Sequence, residues 1–275
     1  MEPRRRTRSA RTLGAIGLVL VTATFYWLLT DQTFRITPAH VTFEGLTYAD
    51  DQTVRDRLAD LDRGPNAFRV RASDIVAQLS DVPELQAASA VVILPAEVRV
   101  SLDERRPIFV WRHDTQDWLV DEDGLLFAPT PFSPSEGDAA AAPEAVGARA
   151  FLPIITDGRT PTTSPTAGAR SHIPPIDLSA MRQLLAVDAS MLGEESDTLQ
   201  LRVDPSDGYV LESKEHAWSA YFGHYFPTLQ PPEVIPRQVQ CLRWLLGQGY
   251  QRLAQIRLVV SGNTCGTFIR FGKDG

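Results

Sequence analysis

Nineteen consecutive residues without a charge, Thr12 to Thr30, follow a cluster of five arginines (Arg4, Arg5, Arg6, Arg8 and Arg11). At about 1.5 Å of rise per residue such a run makes a helix of roughly 28 Å, close to the hydrocarbon thickness of a bilayer. The alternatives are a cleaved signal peptide and a buried helix. A signal peptide has a shorter apolar core and ends in small residues, whereas this segment ends Phe25-Tyr26-Trp27-Leu28-Leu29. Tyr26 and Trp27 suit an interfacial aromatic belt, and arginines on the N-terminal side place that end in the cytoplasm. The expectation is a single-pass chain. It has a basic tail over 1–11, a transmembrane helix over 12–30 in contact with the lipid bilayer, and an extracytoplasmic body from Asp31 onward. No second apolar run of that length follows.

Charge narrows the class of the body. The chain of 275 residues carries a formal charge of −7, and residues 1–11 contribute +4, which leaves −11 beyond them. An acidic body argues against nucleic-acid binding, which needs a basic face. Two cysteines, Cys241 and Cys265, exclude a disulfide-rich miniprotein and paired CxxC zinc sites. In an oxidising compartment they are free to form a disulfide; the alternative is two small buried hydrophobes.

Residues 36–106 are densely patterned. His40-Val41-Thr42-Phe43-Glu44 alternates as a half-buried strand, and Gly45 ends it. Val54, Leu58 and Leu61 fall at i, i+4, i+7, the face of an amphipathic helix over 50–61. Gly64-Pro65-Asn66 breaks the chain, and Phe68 and Val70 begin a short extended piece. Ser73 is placed to cap a second helix that buries Ile75, Val76 and Leu79. Pro83 stops it. Ala88 to Leu94 reads as a strand, Pro95-Ala96 as a turn, and Glu97 to Asp103 as a strand with Val98, Val100 and Leu102 inward. The order β-α-α-β-β puts two helices over one face of a small sheet, an α+β arrangement.

The texture changes from residue 107. Ile108 to Trp111 and Trp118 to Asp121 read as strands. Glu122-Asp123-Gly124 reads as a tight turn before Leu125-Leu126-Phe127, with the Asp-Gly pair supplying the positive φ a hairpin needs. Stretches near 130–148 and 159–175 are rich in Pro, Ala and Ser and read as insertions, with the short strand Phe151 to Ile155 between them. Asp177 to Ala189 is expected to be a helix. Leu199 to Val203 and Tyr209 to Glu212 are expected strands around Pro205-Ser206-Asp207-Gly208. A second helix is expected over Val234 to Leu246, and the last strands over Ile256 to Val260 and Phe268 to Phe271. The region 107–275 is thus expected to be a mostly antiparallel β-rich domain with a few helices.

Four features together resemble the extracytoplasmic start of the FtsQ/DivIB family of bacterial cell-division proteins. They are the basic tail with its apolar run; the strand ending Phe43-Glu44-Gly45; Gly64-Pro65-Asn66-Ala67-Phe68, followed by Val91-Val92-Ile93-Leu94-Pro95 and Val98-Arg99-Val100; and Glu104-Arg105-Arg106-Pro107 with Trp111 and Val120-Asp121-Glu122-Asp123-Gly124-Leu125-Leu126-Phe127. Together they span about a third of the chain. The second half matches more weakly, through Leu152-Pro153-Ile154-Ile155, the helix from Gln238 to Leu246, and Ile256-Arg257-Leu258, where the family often has Asp-Leu-Arg. The Asp is missing here. The resemblance implies a POTRA domain over 36–106 and an FtsQ-type β domain over 107–275.

Enzymatic signatures are scarce. GxSxG, HExxH, P-loop and GxGxxG patterns do not occur. His216 and His224, eight apart, do not fall on adjacent helical turns and read as ordinary polar residues rather than zinc ligands. Asp121-Glu122-Asp123-Gly124 lacks the ligand spacing of an EF-hand and reads as a hairpin turn. Glu104-Arg105-Arg106-Pro107 reads as a domain junction rather than a catalytic carboxylate beside a cation. Trp218, Tyr221, Phe222 and Tyr225 fall at i, i+3, i+4, i+7, which suggests one apolar helical or core face; the other reading is an exposed patch for a partner.

The expected function is that of a non-enzymatic scaffold at the division septum, without cofactors or metals. The resemblance implies FtsB (DivIC)-like and FtsL-like partners and, indirectly, FtsW and FtsI. It also implies that FtsB-like partners are commonly acidic. The expected mode is β-augmentation at the last strands, through Ile256, Arg257, Leu258, Val259, Val260, Thr267, Phe268, Ile269 and Arg270. Backbone pairing gives affinity, and Arg257, Arg270 and nearby aromatics give selectivity. A proline at Val259 removes one backbone donor and tests that strand. Two rivals are a POTRA-bearing assembly or translocation factor, which would carry several such domains or a barrel, and a membrane-anchored hydrolase, which would turn over peptidoglycan.

Overall fold

The computed structural model describes residues 6–47, 51–131, 151–160, 165, 170–193, 198–248, 253–261 and 264–271. The insertion expected near 130–148 falls almost wholly outside these residues, as does about half of the one near 159–175. The chain forms two compact units, Met1–Arg105 and Arg106–Gly275, in an α+β arrangement with mixed sheets.

Helix α1 (Arg6–Thr30) opens the first unit. Among the described residues no helix is long and apolar enough to cross a membrane. α1 by itself therefore does not establish the expected span. Asp31 stops it, and its carboxylate accepts from the Thr33 amide at 2.8 Å to start a 3-10 turn over Gln32–Phe34.

Three strands build the first sheet: β1 (Val41–Glu44), β2 (Leu85–Ile93) and β3 (Glu97–Glu104), in the order β1-β3-β2. β1 runs parallel to β3, with Phe43 opposite Val100, and β2 runs antiparallel to it. Alternation along β3 buries Val98, Val100 and Leu102, as its sequence dictates. These side chains meet α2 (Asp51–Arg57), α3 (Ala59–Asp62) and α4 (Ala72–Leu79), which bury Val54, Leu58, Leu61, Ile75 and Leu79 against them. The expected helix over 50–61 is broken near Leu58, whose amide reaches back only three residues to Arg55. Gly45 has φ +94°, and a Cβ there would run into the carbonyl of Leu102, so the Phe-Glu-Gly unit needs its glycine. Ser73 does not cap α4: Arg71 stands at the N-cap without a side-chain bond, and the Ser73 hydroxyl donates to Asp74 at 3.3 Å. Phe68 lies in a 3-10 turn, Ala67–Arg69, rather than in an extended piece.

The second unit holds one ten-stranded mixed sheet. Its elements in chain order are β4 (Phe109–His113), β5 (Gln116–Val120), β6 (Leu125–Pro131), β7 (Ile154–Asp157), β8 (Ser171–His172), α5 (Pro175–Leu185) and α6 (Ala189–Leu192). β9 (Leu199–Asp204), β10 (Gly208–Ser213), β11 (Ser219–Gly223), α7 (Ile235–Leu246), β12 (Leu253–Ser261) and β13 (Thr264–Phe271) complete it. The strand order is β13-β12-β11-β10-β9-β7-β4-β5-β6-β8. β4/β7, β7/β9 and β11/β12 pair in parallel, and the other pairs are antiparallel. The Asp-Gly turn forms as expected: Gly124 has φ +79°, and the Asp121 carboxylate accepts from the amides of Asp123 and Leu125. One face of the sheet packs under α5 and α7 around Trp118, Met181, Leu184, Phe222, Leu242 and Ile256.

The aromatic segment differs from its expected helix. Trp218, Tyr221, Phe222 and Tyr225 are buried, so the core reading holds, but Ser219–Gly223 is strand β11. Phe226 alone of that group is exposed. The i, i+3, i+4, i+7 spacing was coincidental: a strand buried on both faces needs no alternation, so its spacing carries no period.

Candidate partner-binding edge

β13 is the terminal strand of the large sheet. Its eight residues pair with β12 on one side, from Ser261 opposite Thr264 to Leu253 opposite Phe271. β12 in turn meets β11 only over Gln255–Arg257. The sequence-predicted residues therefore lie on two neighbouring strands, and the open edge belongs to Thr267, Phe268, Ile269 and Arg270. Ile256, Arg257, Leu258, Val259 and Val260 lie on the penultimate strand.

The faces divide by alternation. Ile256 and Leu258 are buried under α7, and Ile269 is half-buried against the same core. Arg257, Val259, Phe268 and Arg270 stand on the opposite face, with Phe268 69% exposed and directly across from Arg257. Helix α7 holds the edge from below through Ile235, Leu242 and Leu245. Its buried Gln238 accepts from the Tyr225 hydroxyl at 2.8 Å and donates to the Phe222 carbonyl at 2.9 Å, so α7 is tied to β11 by a satisfied polar bridge. Cys241 on α7 is disulfide-bonded, and no cysteine is free among the described residues.

Two details alter the expected roles. Arg257 donates to Asp207 at 2.8 Å, and its guanidinium lies 5.1 Å from the centre of the Tyr221 ring. It is engaged within the unit, whereas Arg270 stands exposed on the edge strand itself. Val259 is also a poor place for the proline test. Two residues separate the paired Ser261 and Thr264, and the pair flanking a two-residue connection exchanges both backbone bonds, as does every second pair after it. That register joins Val259 to Gly266 and Arg257 to Phe268, so the Val259 donor serves the hairpin itself. The outward backbone groups of β13 are those of Thr267 and Ile269.

Sequence reasoning missed a second polar cluster in this unit. Asp157, at the end of β7, is buried and receives Arg159 through both carboxylate oxygens, the closer at 2.7 Å, and the Trp111 indole N–H at 3.2 Å. Arg159 also reaches Asp177 at 3.0 Å, and the Tyr209 hydroxyl donates to the same oxygen. Burial disfavours the Arg159 charge, but the hydrogen bond and charge of Asp157 outweigh it and raise the guanidinium above its usual range. Burial first, then the Asp177 charge, raises the Tyr209 phenol. The cluster borders a cavity of about 400 Å³ floored by Leu126, Ile173 and Met181. Each side chain of the cluster is hydrogen-bonded to another member, which braces β7, α5 and β10 against one another. Pairing of Arg159 with an acid 18 residues on, across an insertion, has no local sequence signal.

No protein-family model matches the chain. A 121-residue stretch is 29% identical to the cell division protein FtsQ of Chloroflexus aggregans (strain MD-66 / DSM 9485). The stretch is 44% of this chain, and it spans 43% of that relative, less than half of its length. Over that stretch the chain is similar to FtsQ, in agreement with the FtsQ/DivIB resemblance carried by its motifs.

Proposed function

We propose that this protein is a bitopic, non-enzymatic scaffold of the bacterial division machinery, held in the cell membrane by residues 12–30 and localised to the septum. In this reading residues 36–106 are a POTRA domain and 107–275 an FtsQ-type β domain. The second unit adds an FtsB (DivIC)-like segment to its sheet, with an FtsL-like protein alongside, and so connects to FtsW and FtsI. The observation that carries the reading is the eight-residue terminal strand β13, paired on one side, with Phe268 and Arg270 displayed on its outer face. An added strand gains affinity from main-chain bonds and selectivity from alternate side chains. Arg270 favours an acidic partner.

Support for the anchor comes from the chain itself. The uncharged run is long enough, at roughly 28 Å, to match a bilayer core. Ile16, Leu18, Val19, Leu20, Val21 and Phe25 are each more than half exposed, so nothing in the described structure covers α1 from Gly14 to Trp27. A helix apolar all round demands an apolar solvent. The disulfide at Cys241 suits an oxidising compartment outside the cytoplasm.

The test is a proline at Thr267, whose outward donor is free of the β12 ladder by register. The readout is affinity for the extracytoplasmic region of the FtsB-like protein of the same organism. A loss of tenfold or more in a variant that keeps its circular dichroism and melting profile supports augmentation at β13. Unchanged affinity in that folded variant overturns it.

A further inference from the structure

We propose that the face of the first unit around Phe68 lies on the membrane surface and binds anionic lipid headgroups through Arg35, Arg69 and Arg71. The inference rests on the anchor reading of α1 and extends it from the helix to the folded unit.

Continuity of aromatic rings is the first argument. Trp27, in the last turn of α1, meets Phe34 edge-on at 6.1 Å between ring centres, and Phe34 meets Phe68 at 5.1 Å. If α1 is embedded, Trp27 sits at the interface where amphipathic rings collect. Phe34 and Phe68 follow within about one ring diameter each. Phe68 is 46% exposed although it belongs to a segment otherwise folded onto the unit.

Rigidity is the second. The Asn66 side-chain amide donates to the Leu28 carbonyl at 2.9 Å, an acceptor that the end of a helix leaves without an intrahelical donor. The Ile36 amide donates to the Pro65 carbonyl at 3.0 Å, and Arg35 and Asn66 form an antiparallel bridge. Leu28 and Leu29 are half-covered, unlike the apolar residues before them. The helix end and the Gly64–Phe68 segment are one clasped piece, so the position of α1 fixes the depth of Phe68.

Charge is the third. Residues 63–71 contain Arg63, Arg69 and Arg71 and no acid, in a chain of net charge −7. Arg35, Arg69 and Arg71 are exposed beside the ring series. Guanidinium groups pair with phosphate through two bonds, while their stems cover apolar surface. Rings flanked by cations at interfacial depth match a negatively charged leaflet. An exposed Phe by itself means little; the ring series joined to an uncovered apolar helix is what selects lipid over a protein partner.

The full chain is reconstituted in vesicles of phosphatidylcholine, with and without phosphatidylglycerol, and carries one spin label at a time. The positions are Leu20→Cys, Phe68→Cys and, as a water-facing control on α4, Gln78→Cys. Cys241 is disulfide-bonded and does not take the label, and the parent chain treated in the same way gives the background signal. Collision with oxygen against a polar nickel chelate reports depth. The expected result is a deep label at 20 and an oxygen-to-nickel ratio at 68 several-fold above that at 78. That ratio rises with phosphatidylglycerol, and the rise is lost in an Arg69→Glu/Arg71→Glu variant. A label at 68 that behaves like 78, while 20 is deep, overturns this inference and leaves the anchor standing. A label at 68 shielded from both reagents indicates a protein contact and also overturns it. A water-exposed label at 20 removes the anchor reading and this inference with it.

Discussion

Asn66 and Leu28 are 38 positions apart, and a hydrogen bond of 2.9 Å joins the side-chain amide of one to the carbonyl of the other. The same asparagine accepts from the Phe68 amide at 3.0 Å, so one buried side chain serves two backbone groups. Asn66→Ala leaves both without that partner and is expected to cost about 2 kcal/mol. Asn66→Asp keeps the acceptor for Phe68 but places a charge against the Leu28 carbonyl, so it does not restore stability. Hydrogen exchange over residues 66–79 of the full chain checks both.

The brace at Asp157 sets the second expectation. Asp157→Ala takes away the acceptor of the Trp111 N–H and leaves Arg159 half-buried with one carboxylate instead of two. Breaking such a pair from one side is expected to cost about 3 kcal/mol, because the remaining charge stays desolvated. Urea unfolding of the second unit measures it. An effect on partner affinity in the folded variant would contradict the structural role.

Acid sensitivity follows from the β9–β10 turn. Asp204 accepts from the Ser206 hydroxyl at 2.7 Å, from the Ser206 and Asp207 amides, and from Arg202 at 3.0 Å. The Ser206 bonds are the chief cause that holds its carboxyl well below the usual aspartate value of 3.8. A depressed carboxylate binds fewer protons folded than unfolded. Its stabilisation is present above 3.8 and is lost as the pH falls below it toward the folded value. Urea midpoints at about pH 6 and about pH 3 are expected to differ more for the parent than for Asp204→Asn.

Reduction is expected to loosen the candidate edge. A cross-link closing a loop of the size between the two cysteines contributes about 3 kcal/mol. Dithiothreitol is therefore expected to lower the melting temperature of the second unit, and Cys241→Ser to do the same without reductant. A melting temperature insensitive to both would show that the cross-link constrains nothing.

Local chemistry made much of this structure legible. β3 alternates because one face of its sheet is covered, and Gly45 and Gly124 mark turns that require positive φ. The last two strands appear where their apolar runs lie. What sequence did not carry is long-range. Whether Val259 or Thr267 faces outward depends on the register of the final hairpin. Arg257 was available to a partner on paper, yet Asp207, 50 residues earlier, claims it. The Trp218–Tyr225 aromatics mimic a helical period because β11 is buried on both faces, where burial overrides local spacing.

The large sheet has unlike ends. Opposite β13 it finishes in β8, two residues that cover only Leu125 and Leu126 of β6, and β6 then carries Pro129 and Pro131, which have no amide to offer. A filament built by sheet extension needs two complementary ends on every copy. Among the described residues the two ends of this sheet do not match, so the β13 edge of one copy meets no equivalent long edge at the β8 end of another.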